Sequence, residues 1–437
     1  MIDIKRIREN KEDVLKSLQK RTDIKSLDNI IDLDNKRKIV IKELSELQEL
    51  RNKTSKKIAN MKRNNKSITE EVLSMKKVNM QIASFNKSLS EIEKNLFEIL
   101  SSLPNIPDED VLAGGKENNE VVFTYGNKPE FNFSPKDHVS LATQLKLIDF
   151  ERGIKLGGQG SWIYTGIGAQ LEWALLNYFI NSHLANGWNF MLVPHMLNYE
   201  CGYTAGQFPK FQEEVYWLDD GFQKKGKFIL PTAETALVNL HRNEILNEEQ
   251  LPKKYFAYTP CYRREAGSSR KEERGTVRGH QFNKVEMVQY TTDATSDIAF
   301  LEMLQNAQKL VQDLGLHYQV SKLAAGDCSA SMCRTYDIEV WIPSMGIYKE
   351  VSSVSNSRYF QSRRGNMKYR ESSTGKTKFM HTLNASGLAT SRLLPAILEQ
   401  YQLEDGSILI PEVLRPYMGG IDRITMPQEQ KVRTLKK

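Results

Sequence analysis

The chain has 437 residues, of which 40% are hydrophobic and 26% charged, as in an ordinary globular protein with room for two or three domains. No apolar run approaches the roughly 18 residues that cross a bilayer, and the N-terminus lacks a signal-peptide pattern, so we expect a cytoplasmic protein without a membrane partner. Four cysteines exclude a disulfide framework. Cys328 and Cys333 lack the spacing of a zinc-binding pair, so no structural zinc is expected and free thiols are the simpler interpretation.

The net charge of +7 is concentrated in the first quarter of the chain. Residues 1–103 carry 23 lysines and arginines against 16 acidic residues, whereas the rest of the chain is balanced. Within this quarter, residues 51–66 hold seven basic side chains and no acid: Arg51, Lys53, Lys56, Lys57, Lys62, Arg63 and Lys66. Such a density attracts polyanions, and a solvated helix face is the alternative interpretation.

Apolar residues of the same region recur in the alternating steps of three and four that are typical of a coiled coil. One series runs from Leu33 to Met61 and a stronger one from Met75 to Leu103, with a polar break at residues 63–66. Because the connection is short, we predict an antiparallel helical hairpin on the order of 50 Å long, with the basic segment near its tip. Folded RNA is the expected partner, and a protein–protein coiled coil is the alternative.

The sequence after the hairpin predicts an α+β domain with a mostly antiparallel sheet. Pro104 and Pro107 end the second helix, and a linker containing glycine and asparagine follows. A helix is predicted between Gly168 and Gly187, followed by an edge strand that Pro194 interrupts. Later segments such as YFAYTPCYRRE and TYDIEVWIP are rich in strand-forming residues. No glycine-rich phosphate loop precedes a helix, which argues against Rossmann and P-loop folds.

The segment YRREAGSSRKEERGTVRGHQFNKVEM, residues 262–287, concentrates arginines, aromatic residues and a final glutamate. On a strand, Phe282, Lys284 and Glu286 share a face, and Phe282 and Glu286 lie about 13 Å apart, close to the length of an aminoacyl adenylate. Arg263 and Glu265 share a face of the preceding strand, and the region between supplies Arg270, Arg274 and Arg278. An aromatic ring that stacks a base, guanidinium groups on phosphate and a carboxylate on an ammonium group fit this pattern. A charged β-hairpin with ordinary cross-strand ion pairs is the alternative.

Two further segments, YKEVSSVSNSRYFQSRR and HTLNASGLATSRLLPAILE, follow in the order found in class II aminoacyl-tRNA synthetases. The amino-acid sequences of the three segments resemble those of the bacterial-type seryl-tRNA synthetase family. The resemblance covers nearly the whole chain. It implies a tRNA-binding hairpin arm at residues 1–110, a linker at 111–134 and a class II catalytic domain at 135–437. GAQLEWALLNYFINSHLANGWNFMLVPHML is similar to the family's first motif, which implies a homodimer.

The resemblance implies a ligase that activates L-serine with ATP and Mg²⁺ to seryl-adenylate, then transfers serine to the 3′ end of tRNA(Ser). It assigns three catalytic residues, Arg263, Arg278 and Arg392. Implied ATP contacts are Arg263, Arg264, Glu265, Phe282, Glu350, Val351, Ser352, Ser353 and Arg392, with Glu350 and Ser353 as the Mg²⁺ ligands. Implied serine contacts are Thr232, Ala233, Glu234, Arg263, Glu286, Asn384 and Ser386. The seven basic residues of segment 51–66 are the implied tRNA contacts.

Within that assignment, Arg263 holds the α-phosphate, Arg278 meets the serine carboxylate and the α-phosphate, and Arg392 clamps the γ-phosphate. Phe282 stacks the adenine and Glu286 receives the serine ammonium group. Attack of a carboxylate on phosphorus needs little proton transfer, so positioning and charge neutralisation supply most of the acceleration. His280 and His381 lie inside the motifs but are interpreted as hydrogen-bonded scaffold, with a role as general base as the alternative.

The chain departs from the family pattern in three places. It reads VSNSRYFQSRR at residues 354–364 where the family has CSNCxDFQxRR, Ala385 where the family has glycine, and TAGQFPKF at residues 204–211 where the family has GTGQxPKF. Ala385 and the loop around Ala205 are expected to reshape the rim of the active site. These changes leave open a specialised paralogue, either inhibitor-tolerant or biosynthetic. A serine-adenylating ligase with another acceptor and a catalytically silent RNA-binding relative are the competing hypotheses.

Overall fold

The computed structural model describes residues 1–218, 226–265 and 275–426, and the chain forms two compact units that divide between Ile106 and Pro107. Arg270 and Arg274 of the arginine-rich segment lie outside the described residues. The first unit contains four helices: α1 Ile4–Glu9, α2 Lys11–Gln19, α3 Asp28–Arg63 and α4 Thr69–Ser102. The two long helices pack against each other as the predicted hairpin, and the break between them lies at residues 64–68.

The interior of the hairpin consists of residues from the two predicted apolar series. Leu44 of α3 and Val78 and Ile82 of α4 are buried, and Val40 and Phe85 are among the half-buried residues that pack around them. Because these side chains recur every three or four residues, they form one stripe per helix, as in a coiled coil. The coiled-coil prediction is therefore confirmed.

Near its N-terminal end, α3 carries a buried acid that is fully paired. Asp34 is 1% exposed, and Arg8, Arg37 and Lys38 place their nitrogens 2.7, 3.0 and 3.2 Å from its carboxylate oxygens. A buried charge is tolerated only when it is paired, so this cluster joins α1 to α3 and explains why basic residues interrupt the weaker apolar series.

The second unit is built from helices and strands that alternate irregularly along the chain. Its helices are α5 His138–Gln144, α6 Phe150–Gly157, α7 Ile167–Ala185, α8 Tyr199–Ala205, α9 Glu234–Leu237, α10 Ser296–Asp313, α11 Phe360–Gly365 and α12 Thr390–Gln400. Its strands are β1 Glu120–Tyr125, β2 Ile148–Asp149, β3 Ile163–Tyr164, β4 Asn189–Met191, β5 Met196–Leu197, β6 Tyr216–Leu218, β7 Lys227–Ile229, β8 Ile245–Asn247, β9 Lys253–Tyr262, β10 Gln281–Thr291, β11 Tyr318–Lys322, β12 Arg334–Ile342, β13 Ile347–Arg358, β14 Lys368–Arg370, β15 Thr377–Phe379, β16 His381–Ala389, β17 Ile408–Leu409 and β18 Arg423–Ile424.

The main sheet has eight strands in the order β1-β11-β12-β13-β16-β10-β9-β4, and every pairing except that of β4 with β9 is antiparallel. The predicted α+β class with a mostly antiparallel sheet is confirmed. Strand β4 occupies an edge and ends before Pro194, because proline cannot donate a hydrogen bond to the ladder. The opposite edge, β1, is formed by residues that the sequence analysis places in the linker.

The two faces of this sheet have different environments. One face packs on α7, α10 and α12 to form the main hydrophobic core, to which β16 contributes Leu383 and Ala385. The other face lines a large cavity, into which the same strand presents Asn384 and Ser386. Because successive side chains of a strand point to opposite faces, one strand supplies both the core and the cavity.

Candidate active site

The cavity on the open face of the sheet has a volume of about 1230 Å³ and gathers most of the residues that the sequence singles out. Of the sixteen residues predicted to contact ATP or serine or to act in catalysis, eleven line the cavity: Thr232, Glu234, Arg263, Glu265, Arg278, Glu286, Glu350, Ser353, Asn384, Ser386 and Arg392. A twelfth, Phe282, packs against the guanidinium group of Arg263. These side chains come from segments up to 160 residues apart in the sequence, and the antiparallel pairing of β9, β10, β13 and β16 brings them together.

Glu286 lies at the centre of one end of the cavity and is 1% exposed. Lys284 pairs with its carboxylate at 2.5 Å, Asn384 donates to it at 3.0 Å, and Ser386 donates to it at 3.3 Å. Strands β10 and β16 place Glu286 directly opposite Ser386 in the ladder, which fixes this geometry. The carboxylate is therefore held in place by three side chains at the wall of the cavity.

Asn384 has one polar atom without a partner in the described part of the chain. Its Nδ2 donates to Glu286, whereas its Oδ1 is buried and accepts no hydrogen bond. The residue is 9% exposed and faces the cavity. A buried acceptor that is left unpaired costs free energy, so Oδ1 is a ready site for a ligand hydroxyl or ammonium donor.

A second carboxylate, that of the half-buried Glu234, lies close to Glu286. Burial, and then the charge of Glu286, raise the pKa of Glu234 to about 7. Gln361 donates to Oε1 of Glu234 at 2.9 Å, and the backbone N–H of Glu234 donates to the hydroxyl of Thr232 at 3.3 Å. Two carboxylates that repel each other in a buried cavity favour a cationic ligand between them.

Basic groups occupy the neighbouring part of the cavity. Arg263 directs its Nε to the carbonyl oxygen of Pro231 at 3.3 Å, and its guanidinium carbon lies 5.1 Å from the centre of the Phe282 ring. Arg278 donates to Glu265 at 2.5 Å. The backbone of Glu265 has a φ of +51°, a left-handed conformation that turns the chain at the end of the strand region. The prediction that Arg263 and Glu265 share a face of the strand is therefore wrong, because β9 ends at Tyr262 and both residues follow it.

A third part of the cavity wall combines Arg392 with acidic residues of β12 and β13. Arg392 donates to the Glu350 carboxylate at 3.0 Å and to its backbone oxygen at 3.1 Å. The hydroxyl of Ser353 donates to the carboxylate of Asp337. Burial, and then the charge of Glu350, raise the pKa of Asp337 well above its ordinary value. This surplus of oxygen ligands and negative charge suits a hard divalent cation, and oxygen ligands are those that Mg²⁺ prefers.

Besides Phe282, four candidate residues do not line the cavity. Val351 packs in the main core, and the Ser352 hydroxyl donates to the backbone oxygen of Ser386 at 2.6 Å. Ala233 is fully buried in a smaller core, and Arg264 donates to the backbone oxygen of Glu213.

Two histidines of the motifs have structural partners or environments. His280 donates from Nδ1 to the backbone oxygen of Arg263 at 3.1 Å. Burial, and then the charge of Arg358, lower the pKa of His381 to about 4. Both observations fit the interpretation that these side chains are scaffold.

The basic segment of the hairpin is exposed along its length. All seven candidate tRNA contacts have exposed side chains, on the last turns of α3 and in the connection to α4. Lys53 pairs with Glu49 and Lys57 with Glu71. Exposed ion pairs of this kind contribute little to stability, so the segment keeps its attraction for a polyanion.

Comparison with known proteins gives the same family at both ends of the chain. Residues 1–107 match the seryl-tRNA synthetase N-terminal domain, and residues 216–401 match the tRNA synthetase class II core domain (G, H, P, S and T). A Clostridium acetobutylicum protein named serine–tRNA ligase 2 is 57% identical over 421 residues, which are 96% of this chain and 99% of that protein. The serine–tRNA ligase of Chlorobaculum parvum is 44% identical over 96% of this chain and 99% of its own. The chain belongs to the seryl-tRNA synthetase family.

Solved structures of the family share its fold over the full length. The seryl-tRNA synthetase of Pyrococcus horikoshii complexed with ATP is 30% identical, covers 98% of this chain and 100% of its own, and has a TM-score of 0.91. The cytoplasmic serine–tRNA ligase of Naegleria fowleri in complex with AMP is 28% identical, with a TM-score of 0.86. The class II assignment and the ligase class predicted from the motifs are confirmed.

The departures from the family pattern lie in two different environments. Ala385 and Val354 are paired in the ladder of β16 and β13, and both side chains are buried in the main core. The expectation that Ala385 reshapes the rim of the active site is therefore wrong, because strand alternation directs its methyl group away from the cavity. Ala205, in contrast, does line the cavity.

Lys284, Asp337 and Gln361 belong to the site, but the sequence analysis assigned none of them a role. Alternation was a usable signal for the first two, because Lys284 shares a face with Glu286, and Thr335, Asp337 and Glu339 all line the cavity. Gln361 lies in the quoted segment YFQSRR, but its contact with Glu234 arises only in the folded structure, where α11 reaches that residue.

Proposed function

We propose that the chain is a serine–tRNA ligase that joins L-serine to ATP as seryl-adenylate and then transfers serine to the 3′ end of tRNA(Ser). The observation that carries the proposal is the buried Glu286–Asn384 pair, whose unpaired Oδ1 lies in the same cavity as Arg263, Arg278 and Arg392. One end of this cavity is built for a small amine with a hydroxyl, and the other for phosphate.

Serine is recognised by its ammonium group and its hydroxyl. Glu286 and Glu234 receive the ammonium, and Asn384 Oδ1 accepts a hydrogen bond from the hydroxyl, with Thr232 and Ser386 completing the wall. Alanine leaves Oδ1 unpaired, and a site that bonds a substrate hydroxyl discriminates strongly against the analogue that lacks it. Threonine is excluded by the shape of the pocket.

In the first step an oxygen of the serine carboxylate forms a bond to the α-phosphorus, and the bond to the leaving diphosphate breaks. Arg263 and Arg278 neutralise the charge that builds on the α-phosphate, and Arg392 holds the γ-phosphate. Phe282 and Glu265 contact the adenine. No proton is transferred in this step, so positioning and electrostatics carry the catalysis.

Mg²⁺ is proposed to bind together with ATP, with Glu350 and Ser353 as its protein ligands. The described residues contain no group of three or more His, Cys, Asp or Glu side chains arranged to hold a metal by themselves. Phosphate oxygens of ATP would supply the remaining ligands. When bound, the ion neutralises charge on the phosphates. Before it binds, Arg392 pairs with Glu350 and Asp337 accepts from Ser353, which holds both ligands in place.

The hairpin arm at residues 1–110 is proposed to bind tRNA through the seven basic residues of segment 51–66, and residues 135–437 to carry the chemistry. A homodimer is proposed through the family's first motif, where Trp173, Leu184 and Leu192 are 52%, 47% and 82% exposed. The chain has no helix among the described residues that could span a membrane. Cytoplasmic location stays a prediction from the sequence.

The alternatives fit less well. A ligase with another acceptor has no use for a basic hairpin of this length, and a silent relative would not keep Arg263, Glu286, Glu350 and Arg392 together in one cavity. The test is serine-dependent exchange of diphosphate into ATP, measured beside attachment of labelled serine to tRNA. Both activities are expected. Exchange without attachment would favour a ligase with another acceptor. The absence of both activities in a folded chain would favour a catalytically silent RNA-binding relative.

A further inference from the structure

Gln361 is a buried amide that touches the active-site cavity only through other groups. It is 2% exposed and lies on α11. Its Nε2 donates to Glu234 Oε1 at 2.9 Å and to the backbone oxygen of Ala205 at 3.0 Å. Its Oε1 accepts from the hydroxyl of Thr382 at 2.7 Å. One side chain therefore joins α9, strand β16 and Ala205, the last residue of α8, at which the loop of residues 205–207 (the Ala205 loop) begins.

These partners determine which way the amide faces. A carboxylate and a backbone carbonyl only accept, so Nε2 must lie toward Glu234 and Ala205, and the oxygen must lie toward Thr382. The Thr382 hydroxyl in turn lies 2.5 Å from that of Ser357, which can donate its single hydrogen to that hydroxyl or to the backbone oxygens of Thr382 and Arg358. Thr382 and Ser357 are fully buried. The direction of donation in this relay, from Thr382 to Gln361 and from Gln361 to Glu234, is therefore fixed.

We propose that Gln361 is a positioning residue for serine: it holds the Glu234 carboxylate beside Glu286 and ties that carboxylate to the Ala205 loop. The inference rests on the proposed function and adds a residue outside the cavity wall to its specificity. Gln207 in the same loop accepts from Thr235 at 3.0 Å, so the loop and the segment that carries Glu234 are joined at two points. Without these contacts, neither the orientation of the Glu234 carboxylate nor its distance from the ammonium group of the ligand would be fixed.

The relay also gives a reason why the departures at positions 205 and 357 matter. Ser357 stands where the family pattern has cysteine, and a hydroxyl is the stronger hydrogen-bonding partner for Thr382. Ala205 stands where the family has threonine, and the loop contact that Gln361 makes there is to the backbone, which any residue provides. The position of Glu234 is thus kept although alanine, at position 205 of the cavity wall, is shorter than the threonine of the family pattern.

The test compares the full-length chain with Gln361→Met, which keeps the length of the side chain and removes its hydrogen bonds. Loss of a hydrogen bond to a charged group predicts a rise of about tenfold or more in KM for serine, with KM for ATP changed by less than about twofold. In the Glu234→Gln background the same substitution is expected to cost much less, because the two residues act together. Equal rises in both KM values, or an undiminished effect in that background, would overturn the proposal.

A pH profile separates positioning from packing. Gln361 donates to the charged form of Glu234, so Gln361→Met is expected to move the acid limb of kcat/KM for serine to higher pH. The charged groups that face Glu234 are Glu286 and Lys284 of β10 and Arg263 after β9, and all three are unchanged in this variant. An acid limb that stays in place would contradict the proposal.

Thr382 supplies a second pair of variants if Gln361→Met does not fold. Thr382→Val removes the hydroxyl that orients Gln361, and Thr382→Ser keeps it. The valine variant is expected to raise KM for serine several-fold and the serine variant to stay close to the original; equal KM values would overturn the proposal. Failure of the proposed function is distinguishable, because it would appear as absent serine-dependent exchange in the unaltered chain.

Discussion

Asn384 shows how a single atom sets substrate choice in this cavity. Its amide nitrogen is committed to Glu286, which leaves Oδ1 as a buried acceptor directed at the ligand. Asn384→Ala is expected to lower kcat/KM for serine about 10- to 100-fold, since a hydrogen bond in a buried site is lost. Discrimination against alanine should fall with it. Diphosphate exchange with serine and with alanine measures both effects.

The neighbouring residue provides the matched control. Ala385→Gly restores the residue of the family pattern on the same strand, but the methyl group lies in the core. We expect KM for serine to stay the same and thermal stability to fall by about 1 kcal/mol, as for the loss of one buried methyl group. A changed KM for serine in this variant would show that the departure at 385 does reach the site.

Glu234 predicts how serine binding depends on pH. Its pKa is raised to about 7, so a substantial fraction of the free enzyme carries a protonated Glu234 below neutrality. The ammonium group of serine prefers the charged form. Affinity for serine is therefore expected to rise with pH up to about 7 and then level off, and Glu234→Gln should flatten this limb. KM for serine measured between pH 5.5 and 8 is the check; a limb retained in the variant would assign it to another group.

At this scale, strand alternation in the sequence predicts which residues face the cavity wherever the ladder is regular. Phe282, Lys284 and Glu286 were placed on one face, and Lys284 and Glu286 do line the cavity. Alternation does not predict which side chains of β13 face the cavity near Val351 and Ser352, because the register of β12 and β13 shifts between Ile338 and Glu339. A bulge depends on both strands and leaves no mark in either one alone.

The hairpin illustrates the scale of single elements, where periodicity alone was sufficient. Both long helices and the break between them follow from apolar spacing and a run of polar residues, whereas Asp34 and its three cations depend on contacts with α1. The strand β1 was missed because an exposed edge strand of six residues has no buried face to impose alternation.

Packing of the hairpin can be weakened without touching the catalytic unit. Ile82 is 7% exposed between the two helices, and Ile82→Ala is expected to destabilise the hairpin by about 2 to 4 kcal/mol. Ile39 is 58% exposed, so Ile39→Ala should change stability by less than about 0.5 kcal/mol. Hydrogen exchange of the hairpin amides measures the difference; equal protection in the two variants would contradict the coiled-coil packing.

The basic segment predicts a salt-dependent interaction. Replacing Lys56, Lys62, Arg63 and Lys66 by alanine is expected to raise KM for tRNA and to reduce its dependence on salt, because fewer phosphate counterions are released. Diphosphate exchange should be unaffected. The matched control replaces Lys87 and Lys94 of α4, which lie outside the segment. A KM for tRNA that stays constant in the first variant would remove the segment from the tRNA site.

For the whole molecule, the sequence predicts the family because three motifs occur in a fixed order, and the fold follows from the family. What the sequence could not supply is the arrangement behind the cavity wall. The relay through Gln361 depends on which strands and helices become neighbours. Gln361 contacts Glu234 and Ala205, which lie 127 and 156 positions away in the sequence, and local pattern carries no information about such contacts.

The most direct test of the account is attachment of labelled serine to total tRNA by the full-length chain with ATP and Mg²⁺, run in parallel with labelled alanine and threonine. The account predicts efficient attachment of serine, at least about 100-fold less alanine, and loss of attachment with retained diphosphate exchange when the basic segment is neutralised. Absence of serine attachment in a folded chain, or comparable attachment of alanine, would contradict it.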